Sequence, residues 1–154
     1  MKEFRFLDPG PLSDGELELV LVETVPGDPS REWLPVYVFE MRVGGQKAGG
    51  LNLRIGNIHN IVMYGGHIGY QVEPEYRGKH YAERACRLIL PLAKAHGLNP
   101  IWITCNPDNI PSRRTCERLG AKLVEIVSLP EDNDMYLRGE REKCRYSLHP
   151  GSGK

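Results

Sequence analysis

The sequence lacks several features by which common classes of protein are recognised. No stretch approaches the roughly 20 apolar residues that a membrane span requires, and the first residues carry no apolar signal core. Lysine plus arginine equals aspartate plus glutamate at 20 each, so no net charge favours a nucleic acid or an anionic membrane as partner. We therefore expect a cytoplasmic protein that binds neither nucleic acid nor membrane.

Metal sites and disulfides also have little support in the sequence. The four cysteines are widely spaced, with no C-x-x-C, and no two histidines stand at ligand spacing. Cys86 and Cys105 fall inside a predicted helix and a predicted strand, where a free thiol behaves as a small apolar residue. We expect reduced thiols and no bound metal.

Two common nucleotide-binding signatures are missing, because there is no G-x-x-x-x-G-K-[ST] and no G-x-G-x-x-G after a strand. A different turn is present. Gly65 to Val72 has the glycines and β-formers of a strand, and small and apolar residues then recur at helical spacing from Ala82 to Ala93. The run from Val72 to Ala82 is thus predicted to be a strand-to-helix turn.

Such a turn has a chemical use. The first turn of a helix has backbone N–H groups without partners and a partial positive charge, which together bind anions. Gly78 permits close approach of a ligand to the backbone, while Arg77 and Lys79 add positive charge. A pyrophosphate fits this turn, although a lone basic turn is as often a solvated loop.

The remaining pattern predicts one domain over residues 1–150 and a frayed tail at 151–154. Pro26 to Pro35 leaves room for one helical turn, and Pro91 predicts a kink or break in the first long helix. Further strands are predicted at Leu17 to Val25, Val36 to Val43, Gly49 to Ile55, Ile58 to Tyr64, Ile101 to Cys105, Lys122 to Ser128 and Lys143 to Leu148. The long helices are predicted at Ala82 to His96 and from the cap Asn109 to Gly120.

Two segments together resemble a known family. Arg77-Gly78-Lys79-His80-Tyr81-Ala82 is similar to the pyrophosphate-binding signature of the GNAT superfamily, the acetyl-CoA-dependent N-acetyltransferases. The segment from Asn109 through Ser112 to Gly120 is similar to that family's N-x-x-S/A helix. The sequence departs from the pattern at two positions, since His80 replaces the second glycine and Cys116 replaces a tyrosine that many members carry.

The resemblance implies an α/β (α+β) fold, with a twisted, mixed, mostly antiparallel sheet of six to seven strands. That sheet is splayed at its centre, with two main helices and a reduced N-terminal helical region. The implied function is transfer of an acetyl group from acetyl-CoA to a primary amine of a small metabolite, an amino acid or a protein N-terminus. The protein is expected to be a monomer or a homodimer. His80 and Cys116 leave open an alternative, a non-catalytic acyl-CoA-binding sensor or regulatory module.

The resemblance also implies which residues form the site. Acetyl-CoA is expected to contact the end of the central strand, the turn after it and the start of the second helix: Gln71, Val72, Glu73, Arg77, Gly78, Lys79, His80, Tyr81, Ala82, Asn109, Ser112 and Arg113. A backbone N–H near Val72 is expected to stabilise the oxyanion.

Candidates for the catalytic groups are fewer. His67 and Glu73 are candidate bases, with the alternatives that His67 is a surface residue and Glu73 only caps a turn. Ser112 and Cys116 are candidate acids, unless Cys116 only packs its helix. An acidic cluster of Glu131, Asp132 and Asp134 either attracts a cationic amine or belongs to a solvated loop.

Overall fold

The computed structural model of the protein describes residues 4–150, so the tail expected at 151–154 lies outside the described residues. The strands are β1 (Leu12–Ser13), β2 (Leu17–Val25), β3 (Val36–Val43), β4 (Gln46–Arg54), β5 (Ile68–Val72), β6 (Ile101–Cys105), β7 (Lys122–Ser128) and β8 (Glu142–Leu148). The helices are α1 (Tyr81–Ala95), α2 (Ile110–Arg118) and the short α3 (Asp134–Leu137). None of the helices within 4–150 has the length and apolar character that a membrane span requires.

The strands form two antiparallel sheets. Strands β1 to β5 make a five-stranded sheet in chain order, and the second sheet has the order β6-β8-β7. The mostly antiparallel sheet, divided at its centre, is confirmed, and the described residues hold eight strands where six to seven were predicted. The two-residue β1, which pairs with β2, is too short for alternation to reveal it.

One face of the larger sheet builds the core. Strand β3 alternates, so that Tyr37, Phe39 and Met41 are buried and the residues between them are not. Their neighbours on β4 are Leu53 and Leu51, which lie directly opposite Tyr37 and Phe39. This apolar face packs against the buried residues of α1.

Helix α1 runs from Tyr81 to Ala95 without a break, although Pro91 lies inside it. The break considered for Pro91 is therefore wrong. An interior proline costs roughly 3 kcal/mol, but burying side chains the size of Ile89 and Leu92 contributes about 1.5–3 kcal/mol each. Tertiary packing thus keeps the helix intact.

Another prediction fails between β4 and β5. Ile58 to Tyr64 was predicted to be strand-like, but Ile61–Gly65 forms one π-helical turn. Short apolar runs do not distinguish helix from strand. Tyr64 is buried and its carbonyl accepts a hydrogen bond of 2.7 Å from Thr104 Oγ1 on β6. The predicted reduction of the N-terminal helical region is confirmed, since Pro26 to Pro35 holds a single 3₁₀ turn, Pro29–Arg31.

The two sheets meet where β5 and β6 begin. The His67 N–H donates to the Trp102 carbonyl at 2.7 Å, and the Trp102 N–H donates to His67 Nδ1 at 2.9 Å. Gly66 makes the approach possible, because a Cβ there would lie 3.0 Å from the Trp102 carbonyl oxygen. Beyond this junction β5 and β6 belong to different sheets, which leaves a gap towards their far ends.

Candidate active site

A cavity of about 770 Å³ opens from this gap. Its walls are the end of β5, the turn into α1, and the first turns of α2. Of the residues expected to bind acetyl-CoA, nine line it: Gln71, Val72, Arg77, Gly78, His80, Tyr81, Ala82, Asn109 and Ser112. Glu73, Lys79 and Arg113 do not line it, and neither do His67 and Cys116.

The start of α1 forms one end of the cavity. His80 is the N-cap residue, and its side chain makes no capping hydrogen bond, so the first N–H groups of the helix have no side-chain acceptor there. Gly78 has φ +87° and open space around it, which leaves its backbone accessible. Tyr81 and Ala82 bring the helix start into the cavity wall. A pyrophosphate fits these free donors.

Charges around this end favour an anion. Arg77, Arg114 and Arg118 all line the cavity. The one acidic residue in the first turn of α1, Glu83, is bonded to Arg118 at 2.7 Å and to Arg87 at 3.0 Å. These bonds help to hold the pKa of Glu83 below its ordinary value, against burial, which raises it. Its charge is thus compensated and does not oppose an anion.

The β1–β2 turn fixes the helix start from outside. Arg84 binds Asp14 at 2.6 Å and Glu16 at 3.0 Å, and the Tyr81 hydroxyl donates to Glu16 at 2.8 Å. The hydrogen bond with Arg84 lowers the pKa of Asp14 to about 2. An N-terminal segment about 70 residues away in sequence therefore orients the anion-binding turn.

The register of β5 decides which backbone groups face the gap. The Glu73 N–H donates to the Ala48 carbonyl of the neighbouring strand β4 at 2.8 Å, and the pairs continue as Val72 with Gly49 and Tyr70 with Leu51. Because backbone groups alternate along an antiparallel strand, those of Tyr70 and Val72 point to the free edge. Those of Gln71 and Glu73 point to β4 and pair with that strand. Val72 remains the residue nearest the gap.

A pair of hydroxyl groups lies at the other end of the cavity. The Tyr70 and Ser112 hydroxyl oxygens are 2.7 Å apart, joining β5 to α2, and both residues line the cavity. Asn109 Oδ1 caps α2 by accepting from the Ser112 N–H at 3.2 Å, which fixes the serine in the first turn. Burial raises the pKa of Tyr70 well above its ordinary value, so the phenol is neutral at pH 7.

Sequence reasoning missed Tyr70. Its partner Ser112 is 42 residues away, and no local pattern joins them. Strand alternation offers the only signal, because it places Tyr70 on the same face as Val72, two residues later.

His67 is a buried structural residue in this arrangement. It is fully buried, so the interpretation as a surface histidine is wrong. Its Nδ1 accepts a hydrogen bond from the Trp102 N–H. Its Nε2 is therefore the protonated nitrogen and donates to the Gly56 carbonyl and to Asn57 Oδ1, each 2.9 Å away. Burial lowers the pKa of the ring, so it is neutral and both nitrogens are engaged. It has no free lone pair for a substrate.

Cys116 lies on the inner side of α2 and is fully buried. Its hydrogen bond with Cys105 and its burial raise its pKa far above that of an ordinary thiol. The neighbouring Arg113 turns to the protein interior, donating to the Tyr146 hydroxyl at 3.1 Å and the Pro107 carbonyl at 3.2 Å. The geometry therefore favours packing for Cys116 and a structural role for Arg113.

Two smaller cavities lie nearby. One of about 370 Å³ shares Tyr70 and Gln71 with the main cavity and extends over the outer face of β4 and β5. The other, of about 390 Å³, is lined by Asp132 and Asp134 of the predicted acidic cluster, together with Arg54 and Arg138. Glu131 does not line it. No cluster of three or more potential metal ligands occurs in residues 4–150.

The fold and cavity together define a class of protein: two sheets that part at one edge, with an uncapped helix N-terminus beside the gap. Comparison with known families agrees with this description. Residues 4–122 match the model of the acetyltransferase (GNAT) domain, and the chain belongs to this family.

Individual relatives support the assignment. An uncharacterized N-acetyltransferase, YnaD of Bacillus subtilis, is 38% identical over 88 residues, covering 53% of this chain. This chain spans about half, 52%, of the length of that curated relative.

Solved structures share the fold. RimL, a ribosomal L7/L12 α-N-protein acetyltransferase solved with coenzyme A, has a TM-score of 0.67 at 13% identity, covering 90% of this chain and 97% of its own. The acetyltransferase MccE, solved with acetyl-CoA and AMP, has a TM-score of 0.58 at 23% identity, covering 74% of this chain and 61% of its own. The ribosomal-protein-S5-alanine acetyltransferase of Vibrio fischeri has a TM-score of 0.60 at 20% identity, covering 77% of this chain and 64% of its own.

Proposed function

We propose that this protein is an N-acetyltransferase that moves the acetyl group of acetyl-CoA to a primary amine by direct attack. The observation that carries the proposal is that one cavity joins an uncapped helix start to a half-buried hydroxyl pair. The amine acceptor is a small metabolite, an amino acid or a protein N-terminus. Family membership and the ligands of the structurally similar RimL and MccE support the donor.

The residues present fit acetyl-CoA. The turn from Arg77 to Ala82 holds the pyrophosphate on backbone N–H groups, and the nearby guanidinium groups compensate its charge. The pantetheine arm lies along the free edge of β5. The Val72 N–H there donates to the thioester oxygen as negative charge develops on it.

The chemistry forms one bond and breaks another. The neutral amine attacks the thioester carbon, the new C–N bond forms, the C–S bond breaks, and the thiolate of CoA leaves. Tyr70 and Ser112 stand where one hydroxyl can donate a hydrogen bond to that thiolate. A phenol whose pKa is raised is a weaker acid than a thiol of pKa about 8.5. The pair therefore stabilises the thiolate by hydrogen bonding, and the proton that the attacking nitrogen loses reaches the thiolate through water.

Glu73 is the remaining candidate for the group that deprotonates the amine. No hydrogen bond or ion pair engages the Glu73 carboxylate within residues 4–150, and it makes no capping bond to the turn that follows. It directly follows Val72, whose N–H faces the gap. We assign Glu73 as the base, acting on the amine through water because it does not line the cavity.

The test is turnover on a panel of amines, with product detected by mass spectrometry. Ser112→Ala and Tyr70→Phe are expected to lower kcat by roughly 10- to 100-fold and to leave the KM for acetyl-CoA within about twofold. The surface variant Arg31→Met is the matched control and should retain full activity. Acetyl-CoA binding without turnover on any amine would contradict the proposal and assign the non-catalytic binding role instead.

A further inference from the structure

The cavity on the outer face of the larger sheet contains an unusual cation, Arg54. This residue stands at the end of β4, and its guanidinium covers Gly69 of β5, where an added Cβ would lie 3.3 Å from a terminal guanidinium nitrogen. The absence of a side chain at Gly69 thus makes room for it. Within residues 4–150, the guanidinium of Arg54 makes one hydrogen bond, which it donates to the Gly66 carbonyl at 3.1 Å.

Arg54 has no carboxylate partner among residues 4–150, and its guanidinium has fewer protein acceptors than that of Arg113, which also lacks a carboxylate but donates to the Tyr146 hydroxyl and the Pro107 carbonyl. Arg145, Arg84 and Arg42 each form an ion pair, with Glu125, Asp14 and Glu40 respectively. Burial lowers the pKa of Arg54, and no neighbouring carboxylate offsets this. A desolvated charge without a counter-ion is costly, so an anionic ligand would gain from binding here.

The balance of charge in this cavity also favours an anion. Its other charged side chains are Glu40, which Arg42 compensates at 2.8 Å, and Lys47, which is exposed. Asp132 and Asp134 line the neighbouring cavity with Arg54 but lie beyond ion-pair distance from it. The uncompensated charge on this face is therefore positive.

The position of Arg54 relates it to the reaction. The outer-face cavity and the main cavity share Tyr70 and Gln71, so they meet across the edge of β5. Strand geometry puts Gly69, beneath the guanidinium, roughly 3 Å along the strand from Tyr70 and 10 Å from Val72. Both cavities open on the same short stretch of β5, so one small acceptor could place its carboxylate on Arg54 and extend its amine along the strand edge towards Val72.

We propose that the acceptor amine carries a carboxylate, which Arg54 binds in the outer-face cavity while the amine reaches the thioester at the gap. The acceptor class is thus a free amino acid or a peptide with an acidic first residue. A neutral or polycationic amine is disfavoured. This inference is a refinement of the proposed acetyl transfer, and Arg54 is its specificity-determining residue.

The experiment compares ligands that differ only in charge. N-acetylated amino acids and their primary amides, the products of the proposed reaction, are titrated into the full-length protein saturated with CoA. The acids are expected to bind roughly 10- to 100-fold more tightly than the amides, as for a hydrogen bond to a charged group. This preference should disappear in Arg54→Met and be partly retained in Arg54→Lys.

Controls separate binding from folding. Acetyl-CoA affinity should be unchanged in both Arg54 variants, and the exposed variant Arg31→Met should keep the full preference for acids. Equal binding of acids and amides to the unaltered protein would overturn the inference. So would a preference for acids that survives in Arg54→Met.

Turnover distinguishes this inference from the function on which it depends. If the acids bind preferentially but no amine is acetylated, the carboxylate site is supported and the proposed transferase activity is contradicted. If amino acids and their amides are acetylated at equal kcat/KM, the transferase activity stands and the carboxylate site fails.

Discussion

Single residues decide the shape of the turn before α1, and His80 is the most informative of them. It stands where the GNAT signature has a glycine, and its φ of +61° is left-handed. This conformation explains the preference for glycine, since a left-handed residue with a Cβ costs about 1–2 kcal/mol. Histidine tolerates it here without closing the cavity, which His80 itself lines.

Replacing His80 therefore yields a specific order of stability. His80→Gly is expected to be more stable to urea than His80→Ala by about 0.5–1 kcal/mol. The relief of backbone strain at the positive φ exceeds the cost of glycine's greater chain entropy in the unfolded state. Lys79 provides the matched control, since its φ is not positive. Lys79→Gly should be no more stable than Lys79→Ala. Equal stability of the two His80 variants would contradict the account of strain.

Residue-scale prediction from sequence succeeded for local backbone conformation. Gly78 has the positive φ that a close approach requires, and Asn109 caps α2 at Ser112 as its position indicated. It failed where function depends on partners distant in sequence. The burial of His67 between Trp102 and Gly56, and the bond from Tyr70 to Ser112, have no local signature.

At the scale of elements, the start of α1 forms the proposed anion site and the β1–β2 turn holds α1 in place. Helix ends were predictable because caps are local, as at Gly97 and Gly120, which both have positive φ. The π-helical turn at Ile61–Gly65 was not, because its apolar run suits either kind of element.

The link between α1 and the β1–β2 turn predicts a pH-dependent stability. The carboxyl of Asp14 has a pKa of about 2 in the folded protein against 3.8 ordinarily, so its bond with Arg84 is fully stabilising above about pH 4 and is lost as the pH falls towards 2. The Asp14 side chain is 27% exposed, so solvent screening limits the stabilisation from this ion pair to about 1 kcal/mol.

Arg84→Met is therefore expected to lower the free energy of unfolding in urea by about 1 kcal/mol at pH 7 and by much less at pH 2. Arg31→Met, which breaks an exposed pair with Asp28, should change it little at either pH. A loss from Arg84→Met that is the same at pH 2 and pH 7 would show that packing, and not the ion pair, anchors the helix.

For the whole molecule, function follows from two sheets that meet at one end and part at the other. The junction at His67 and Trp102 fixes β5 beside β6, and the free edge of β5 then opens into the main cavity. The reduced N-terminal helical region leaves the outer face of the same strands open as a second cavity. In the proposed function, donor and acceptor would approach one strand edge from opposite faces.

The architecture, including a sheet splayed at its centre, was predicted from motif order, whereas the outer-face cavity was not. Element order and two signature segments fix a family fold. The separation of β5 from β6 depends on how Gly66 lets two distant segments approach. The contents of the outer cavity depend on strand register, which places Gly50, Gly69 and Arg54 together.

The most direct test of the account is calorimetric titration of the protein with acetyl-CoA, in parallel with an Arg77→Glu, Gly78→Asp double variant and the control Arg31→Glu. We expect micromolar binding to the unaltered protein and the control, and a loss of at least about 100-fold, or about 2.7 kcal/mol, in the double variant. That result would place the pyrophosphate at the start of α1. Equal binding by the double variant, or no binding by the unaltered protein, would contradict the central claim.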